Sequence, residues 1–168
     1  MESFIYKKKV LIFGCGNTLF GNDGFGPNVV NYLIEHYNLS EDIFALDAGT
    51  GISNFIFDLL LMKKKPEMVL IIDAVTISNH CTGDVFEVEL SKIPQKKMSD
   101  FALHQAPCSD LLSLLKTQGV DVRVLGMHTA FIPNKINPGL CPETKKAVPI
   151  AADWIMEKIK NRTSPPFF

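Results

Sequence analysis

Hydrophobic positions along the chain form short continuous runs separated by amphipathic stretches. Val10–Phe13 and Met68–Ile72 are apolar throughout, the pattern of strands covered on both faces. Ile43–Leu46 and Asp121–Gly126, the latter carrying Val122, Val124 and Leu125, supply two more short strands. Asp84–Leu90 alternates instead, with Val85, Phe86, Val88 and Leu90 set against Asp84, Glu87 and Glu89. One wetter face suits an antiparallel edge strand. The amphipathic stretches fit helices. Pro27 to about Tyr37 places Val29, Val30, Leu33, Ile34 and Tyr37 on one side, with proline at the first position, where its missing N–H has no partner to lose. Ser53–Lys64, stopped by Pro66, is the second. The third runs from near His104 to Gln118 and is closed by Gly119. The last, about Glu143–Lys160, has the apolar set Ala147, Ile150, Ala151, Trp154, Ile155 and Ile159.

Strands that alternate with helices imply an α/β fold. The expectation is a single doubly wound domain over residues 1–162, with a short tail at 163–168. Its sheet is mostly parallel, flanked by helices on both faces, with one antiparallel edge strand. In such sheets ligands bind beyond the carboxyl ends of the strands, where neighbouring connections leave on opposite faces. The loops at that edge are therefore where chemistry is sought.

Composition narrows the function classes. The 168 residues are 46% hydrophobic and 21% charged, enough for a buried core. Seventeen Lys and Arg against 18 Asp and Glu leave a net charge of −1, which argues against a nucleic-acid partner bound through a basic field. No apolar run reaches the roughly 18 residues of a membrane span. Lys7–Lys9 followed by Val10–Phe13 is too short for a signal peptide, so the cytoplasm is the expected compartment. Cys15, Cys81, Cys108 and Cys141 form no Cys-x-x-Cys pair and read as free thiols.

Three strands run into acids at the same predicted edge. The first leads through Gly14-Cys15-Gly16-Asn17 to Gly21-Asn22-Asp23-Gly24, the second meets Asp47, and the third stops at Asp73. Asp23, Asp47 and Asp73 are thus expected to gather. Two of them have a plainer use: Asp23 as a helix cap, Asp47 as turn chemistry within Asp47-Ala48-Gly49-Thr50-Gly51. Asp73, at the mouth of a central strand, needs a partner, a proton or a metal. Of the histidines, His36 reads as surface, His80 as polar loop and His128 as bordering the same edge, while His104 opens a helix. Two carboxylates and one imidazole make an open mixed set suited to a divalent transition metal.

Other chemistries fit less well. Gly14-x-Gly16 lacks the third glycine of a dinucleotide loop, since Leu19 stands there, and Asp23 would repel a pyrophosphate. Cys108 follows His104 by one helical turn, but Pro107 disturbs that turn and such a pair rarely aligns a thiolate with its base. No Gly-x-Ser-x-Gly and no His-Glu-x-x-His occurs.

The fragments Gly14-Cys15-Gly16-Asn17-Thr18-Leu19-Phe20-Gly21-Asn22-Asp23-Gly24-Phe25-Gly26, Asp47-Ala48-Gly49-Thr50-Gly51, Ile72-Asp73-Ala74 and His104-Gln105, in that order, resemble the hydrogenase maturation endopeptidases. The first fragment with Pro27 is similar to the branch serving coenzyme F420-reducing hydrogenases. The resemblance implies an endopeptidase, aspartic-type or metal-assisted, that removes a C-terminal peptide from the nickel-loaded precursor of a nickel–iron hydrogenase large subunit. It implies Asp23, Asp73 and His104 as the catalytic and nickel-contacting set. Nickel would be held mainly by the substrate, and weakly or not at all by the protein alone. Asn17, Asp47, Gly49, Thr50 and His128 are expected to line and support the cleft, and a pocket around Phe25, Phe131 and Ile132 to grip the substrate tail. Where the family commonly has a preceding acid, this chain has Asn22. The alternative is a non-catalytic nickel- or cofactor-binding module of hydrogenase assembly.

Overall fold

The computed structural model describes Ile5, residues 7–92 and residues 109–163. Its five strands are β1 (Val10–Cys15), β2 (Ile43–Gly49), β3 (Met68–Val75), β4 (Val85–Val88) and β5 (Asp121–His128). They form one sheet in the order β2-β1-β3-β5-β4. All pairings are parallel except β4 with β5. The alternating stretch is therefore the antiparallel edge strand, trimmed to four residues and followed by a 3-10 turn at Leu90–Lys92.

The described helices are α1 (Phe25–His36), α2 (Ile52–Leu61), α3 (Ser109–Thr117) and α4 (Pro142–Thr163). Side-chain alternation along the strands sorts the core into two layers. Ile12, Leu70, Ile72, Leu125 and Met127 pack under α1 and α4 through Phe25, Val29, Leu33, Ala151 and Ile155. Leu11, Phe13, Val69, Ile71 and Val124 pack on α2 and α3 through Ile52, Ile56, Leu112 and Leu115. β1 and β3, the most covered strands, are buried at every position, as their unbroken apolar runs require.

Several boundaries differ from the sequence expectation, each for a local reason. α1 begins at Phe25, two residues early, and Pro27 is buried inside its first turn, where helix N–H groups still lack partners. α2 ends at Leu61, because the ammonium of Lys65 folds back onto the carbonyls of Leu59 (3.0 Å), Leu60 (3.1 Å) and Met62 (2.6 Å). A cation on the last carbonyls of a helix is a favourable terminus. β3 runs past Asp73 to Val75, so that aspartate lies within the strand rather than at its end.

Two polar ties join elements far apart in sequence. The Tyr37 hydroxyl, just beyond α1, donates to Asp153 of α4, and this bond pushes the phenol up to about 12. Arg123 on β5 donates to Asp121 (2.8 Å) and to Glu87 of β4 (2.9 Å); these acceptors raise its already high pKa. No helix among the described residues is long and apolar enough to cross a membrane.

Candidate active site

The chain leaves β1 toward β2 through α1 on one face of the sheet. It returns to β3 through α2 on the other. β1 and β3 are neighbours, so the crevice beyond their carboxyl ends is a topological switch point.

The turn after β1 is pressed onto the end of the sheet. A Cβ on Gly26 would lie 2.5 Å from the backbone nitrogen of Cys15, and closer still to the carbonyl oxygens of Cys15 and Ile72. One on Gly14 would lie 2.6 Å from the carbonyl carbon of Gly26. Only hydrogen fits at these crossings. Gly16 has φ of 126°, outside the range of L side chains, and its α-carbon faces the backbone of Asp23. The sequence motif is thus a set of close backbone contacts that seats the 3-10 turn Gly21–Gly24 against β3 and the loop leaving β1.

Asp23 sits in that turn, 4% exposed. Its Oδ2 accepts the N–H of Asn17 at 2.7 Å. Helix α1 has no side-chain cap, so Asp23 does not serve as one. It reaches back across the turn instead. Asn17 in turn accepts the N–H of Leu19 on its Oδ1 at 3.0 Å, which holds the loop's first bend. Asp73 is 7% exposed and pairs in register with Gly126 of β5. By alternation it shares the sheet face of Val69 and Ile71, where α2 and α3 pack. Ile72, the residue before it, touches Gly26, three residues after Asp23. The structure therefore brings the segments carrying Asp23 and Asp73 together at one crevice.

Asp47 reaches the same edge by a different use. It stands beside Gly14 in the β1–β2 register, but its side chain is exposed and its Oδ1 accepts the N–H of Gly49 at 2.8 Å. Gly49 accepts the N–H of Gly16 at 3.0 Å, which ties the β1 and β2 loops together, and Thr50 is half-buried in the turn that follows. The plainer reading of Asp47, turn chemistry, is the one seen.

His128 is the last residue of β5, 6% exposed. Its Nδ1 accepts the N–H of Ile77 at 3.2 Å, which assigns the neutral ring's proton to Nε2. It thereby props the chain leaving β3. His80 stacks on Phe86 at 4.1 Å, and His36 lies exposed against Tyr32. His104 and Cys108 lie outside the described residues, and so does the first part of the expected third helix. Among the described residues no group of three or more His, Cys, Asp or Glu is placed to hold a metal ion. Among the described residues, Cys15, Cys81 and Cys141 are in no disulfide.

One expectation is overturned. Phe25 is fully buried in the core under α1, whereas Phe131 is 69% exposed, so no pocket unites them. A helix start two residues earlier turned Phe25 inward. One contact was also unforeseen: Asn22 binds across to Thr129 and Cys141, residues 107 and 119 positions away.

A model of the hydrogenase maturation proteases matches residues 27–158. A Methanocaldococcus jannaschii protein assigned to the hydrogenase maturation proteases is 34% identical, over 92% of this chain and 99% of its own length. The chain belongs to the hydrogenase maturation protease family. The coenzyme F420 hydrogenase subunit delta of Methanothermobacter thermautotrophicus is 33% identical, over 92% of this maturation protease and 96% of that subunit. In fold the protein matches the hydrogenase maturating endopeptidase HybD of Escherichia coli with a TM-score of 0.71 at 22% identity, over 92% of this chain and 94% of the other. Family membership makes it a peptidase of hydrogenase maturation, and the expected sheet with one antiparallel strand is the family's. The family match begins at Pro27, after the glycine turn, but both relatives extend over 92% of the chain.

Proposed function

We propose that this protein is an endopeptidase that releases the C-terminal peptide from the nickel-loaded precursor of a nickel–iron hydrogenase large subunit in the cytoplasm. Asp23, Asp73 and His104 contact nickel that the substrate carries on its own thiolates. The observation that carries the reading is the pair of buried carboxylates, Asp23 and Asp73, at the switch point between β1 and β3 in a member of this family. Two oxygen donors are too few for a self-sufficient transition-metal site, which suits an ion brought by the substrate. Helix α3, which starts five residues after His104, packs on the face that Asp73 shares.

The chemistry asked of these residues is modest. Docking onto the substrate's nickel fixes the scissile bond by proximity. A carboxylate at this depth accepts a proton from water as the water oxygen adds to the peptide carbonyl carbon. The C–N bond then breaks, and the leaving nitrogen takes a proton. General-base help of this kind contributes about 10²–10⁴-fold. Asn17, Asp47, Gly49, Thr50 and His128 hold the loops around the crevice.

Purified protein is mixed with precursor prepared with and without nickel. Release of peptide from the loaded form alone is expected, and equal release from both rejects nickel recognition. Asp73→Asn should lower the rate by about 10²–10⁴-fold; a wild-type rate removes Asp73 from the site. Equilibrium dialysis should find weak nickel binding by the protein alone. Tight stoichiometric binding without peptide release would favour the non-catalytic module.

A further inference from the structure

Asn22 stands beside Asp23 in the turn at the switch point, and its amide is used at both ends. Oδ1 accepts the N–H of Cys141 at 2.9 Å, directly before Pro142 opens α4. Nδ2 donates to Thr129 Oγ1 at 3.1 Å, just past the end of β5. The two partners fix the amide's orientation, because a backbone N–H only donates. Thr129 is fully buried, and its hydroxyl proton goes to the carbonyl of Phe131 at 2.9 Å. That hydroxyl therefore meets position 22 as an acceptor. A carboxylate at 22 would keep the Cys141 bond but set oxygen against oxygen at Thr129 unless the hydroxyl proton left the carbonyl of Phe131.

We infer that Asn22 is a positioning residue of the peptidase reaction: its amide pins the turn that carries Asp23 to the β5–α4 connection, and aspartate here could keep both ties only by drawing the Thr129 hydroxyl proton from Phe131. The inference rests on the peptidase reading. Asn22 also keeps the charge of the turn Gly21–Gly24 to one carboxylate.

The test uses the full chain and nickel-loaded precursor. Asn22→Asp removes the donor and keeps the acceptor, Thr129→Val removes the hydroxyl, and Thr129→Ser keeps it. At a temperature where circular dichroism shows each variant folded, Asn22→Asp and Thr129→Val should each lower kcat about tenfold, with KM within about twofold of wild type. Thr129→Ser should stay within about twofold of wild type. The Asn22→Asp/Thr129→Val double variant should be no slower than the slower single one. Unchanged kcat in folded Asn22→Asp, a loss confined to KM, or additive losses in the double variant would overturn the inference. If wild type releases no peptide, the peptidase reading fails instead. The pin itself is then read from urea midpoints of the four proteins: coupled losses support it, additive or absent losses reject it. The same midpoints decide the matter if a single variant does not fold at the assay temperature.

Discussion

Replacing Gly26 by alanine puts the close crossing of α1 over β1 and β3 to the test. The added carbon would stand 2.5 Å or less from three backbone atoms of Cys15 and Ile72, whereas ordinary contact begins at 3.4 Å. The helix start must therefore retreat by about 1.1 Å from the nearest of them, the Cys15 carbonyl oxygen at 2.3 Å, since a strand backbone buried in the sheet cannot yield as a flexible side chain can. Overpacking of this kind costs about 1–3 kcal/mol, and rigid neighbours place it at the upper end. Alanine's better helix propensity returns up to about 1 kcal/mol, which leaves a net loss of about 2 kcal/mol. For a domain of this size that lowers Tm by about 4–8 °C. The retreat also draws the turn bearing Asp23 away from β3, so precursor cleavage should fall by more than tenfold at a temperature where the variant is folded. Gly119→Ala is the control. Gly119 has φ of 88° and no atom within 4 Å of a built Cβ, so only backbone strain of about 1 kcal/mol is expected, with no change in cleavage. Calorimetry and a peptide-release assay on both variants decide it. Gly26→Ala as stable and as active as Gly119→Ala would refute the claim that this crossing sets the distance between the two acidic segments.

Two further outcomes concern the scaffold. Tyr37→Phe removes the bond to Asp153 and should cost about 0.5 kcal/mol, a modest value because the pair is partly solvated. The phenol's pKa is raised from 10.0 to about 12 in the fold, so wild type's advantage should be whole below pH 10 and fade as pH rises through about 12. Urea midpoints of both proteins across that range test it, and a constant gap would refute it. Lys65→Met strips the cation from three carbonyls at the end of α2 and should lower stability by about 1 kcal/mol in urea unfolding; a loss under about 0.3 kcal/mol would show that water replaces the ammonium without cost.

What could be read from the chain alone was whatever depends on short-range pattern. The unbroken runs at Val10–Phe13 and Met68–Ile72 named the two most covered strands, and the alternation after Asp84 named the antiparallel edge. The glycine turn was visible because close backbone crossings admit one residue type. What escaped notice depends on pairing over distance. β3 continues past Asp73 because β5 offers Gly126, Met127 and His128 as partners, and nothing near Asp73 announces them. Phe25 looked available to a pocket until the helix began two residues sooner and turned it inward. Asn22 looked like a missing acid, since the hydroxyl and N–H that define its use come from Thr129 and Cys141.

The loops that follow β1 and β5 are stitched by a small ladder of their own. Phe20 pairs with Asn137, Gly21 donates to Asn137 at 2.9 Å, and Asn137 donates to Leu19 at 2.9 Å. The two loops are thereby tied to each other as well as to the sheet. Leu19 and Ile136 are both exposed beside the stitch, the first two residues along the loop from Asn17, which donates to Asp23, and the second one residue from Asn137. The rim of the crevice and its floor thus form one mechanical part.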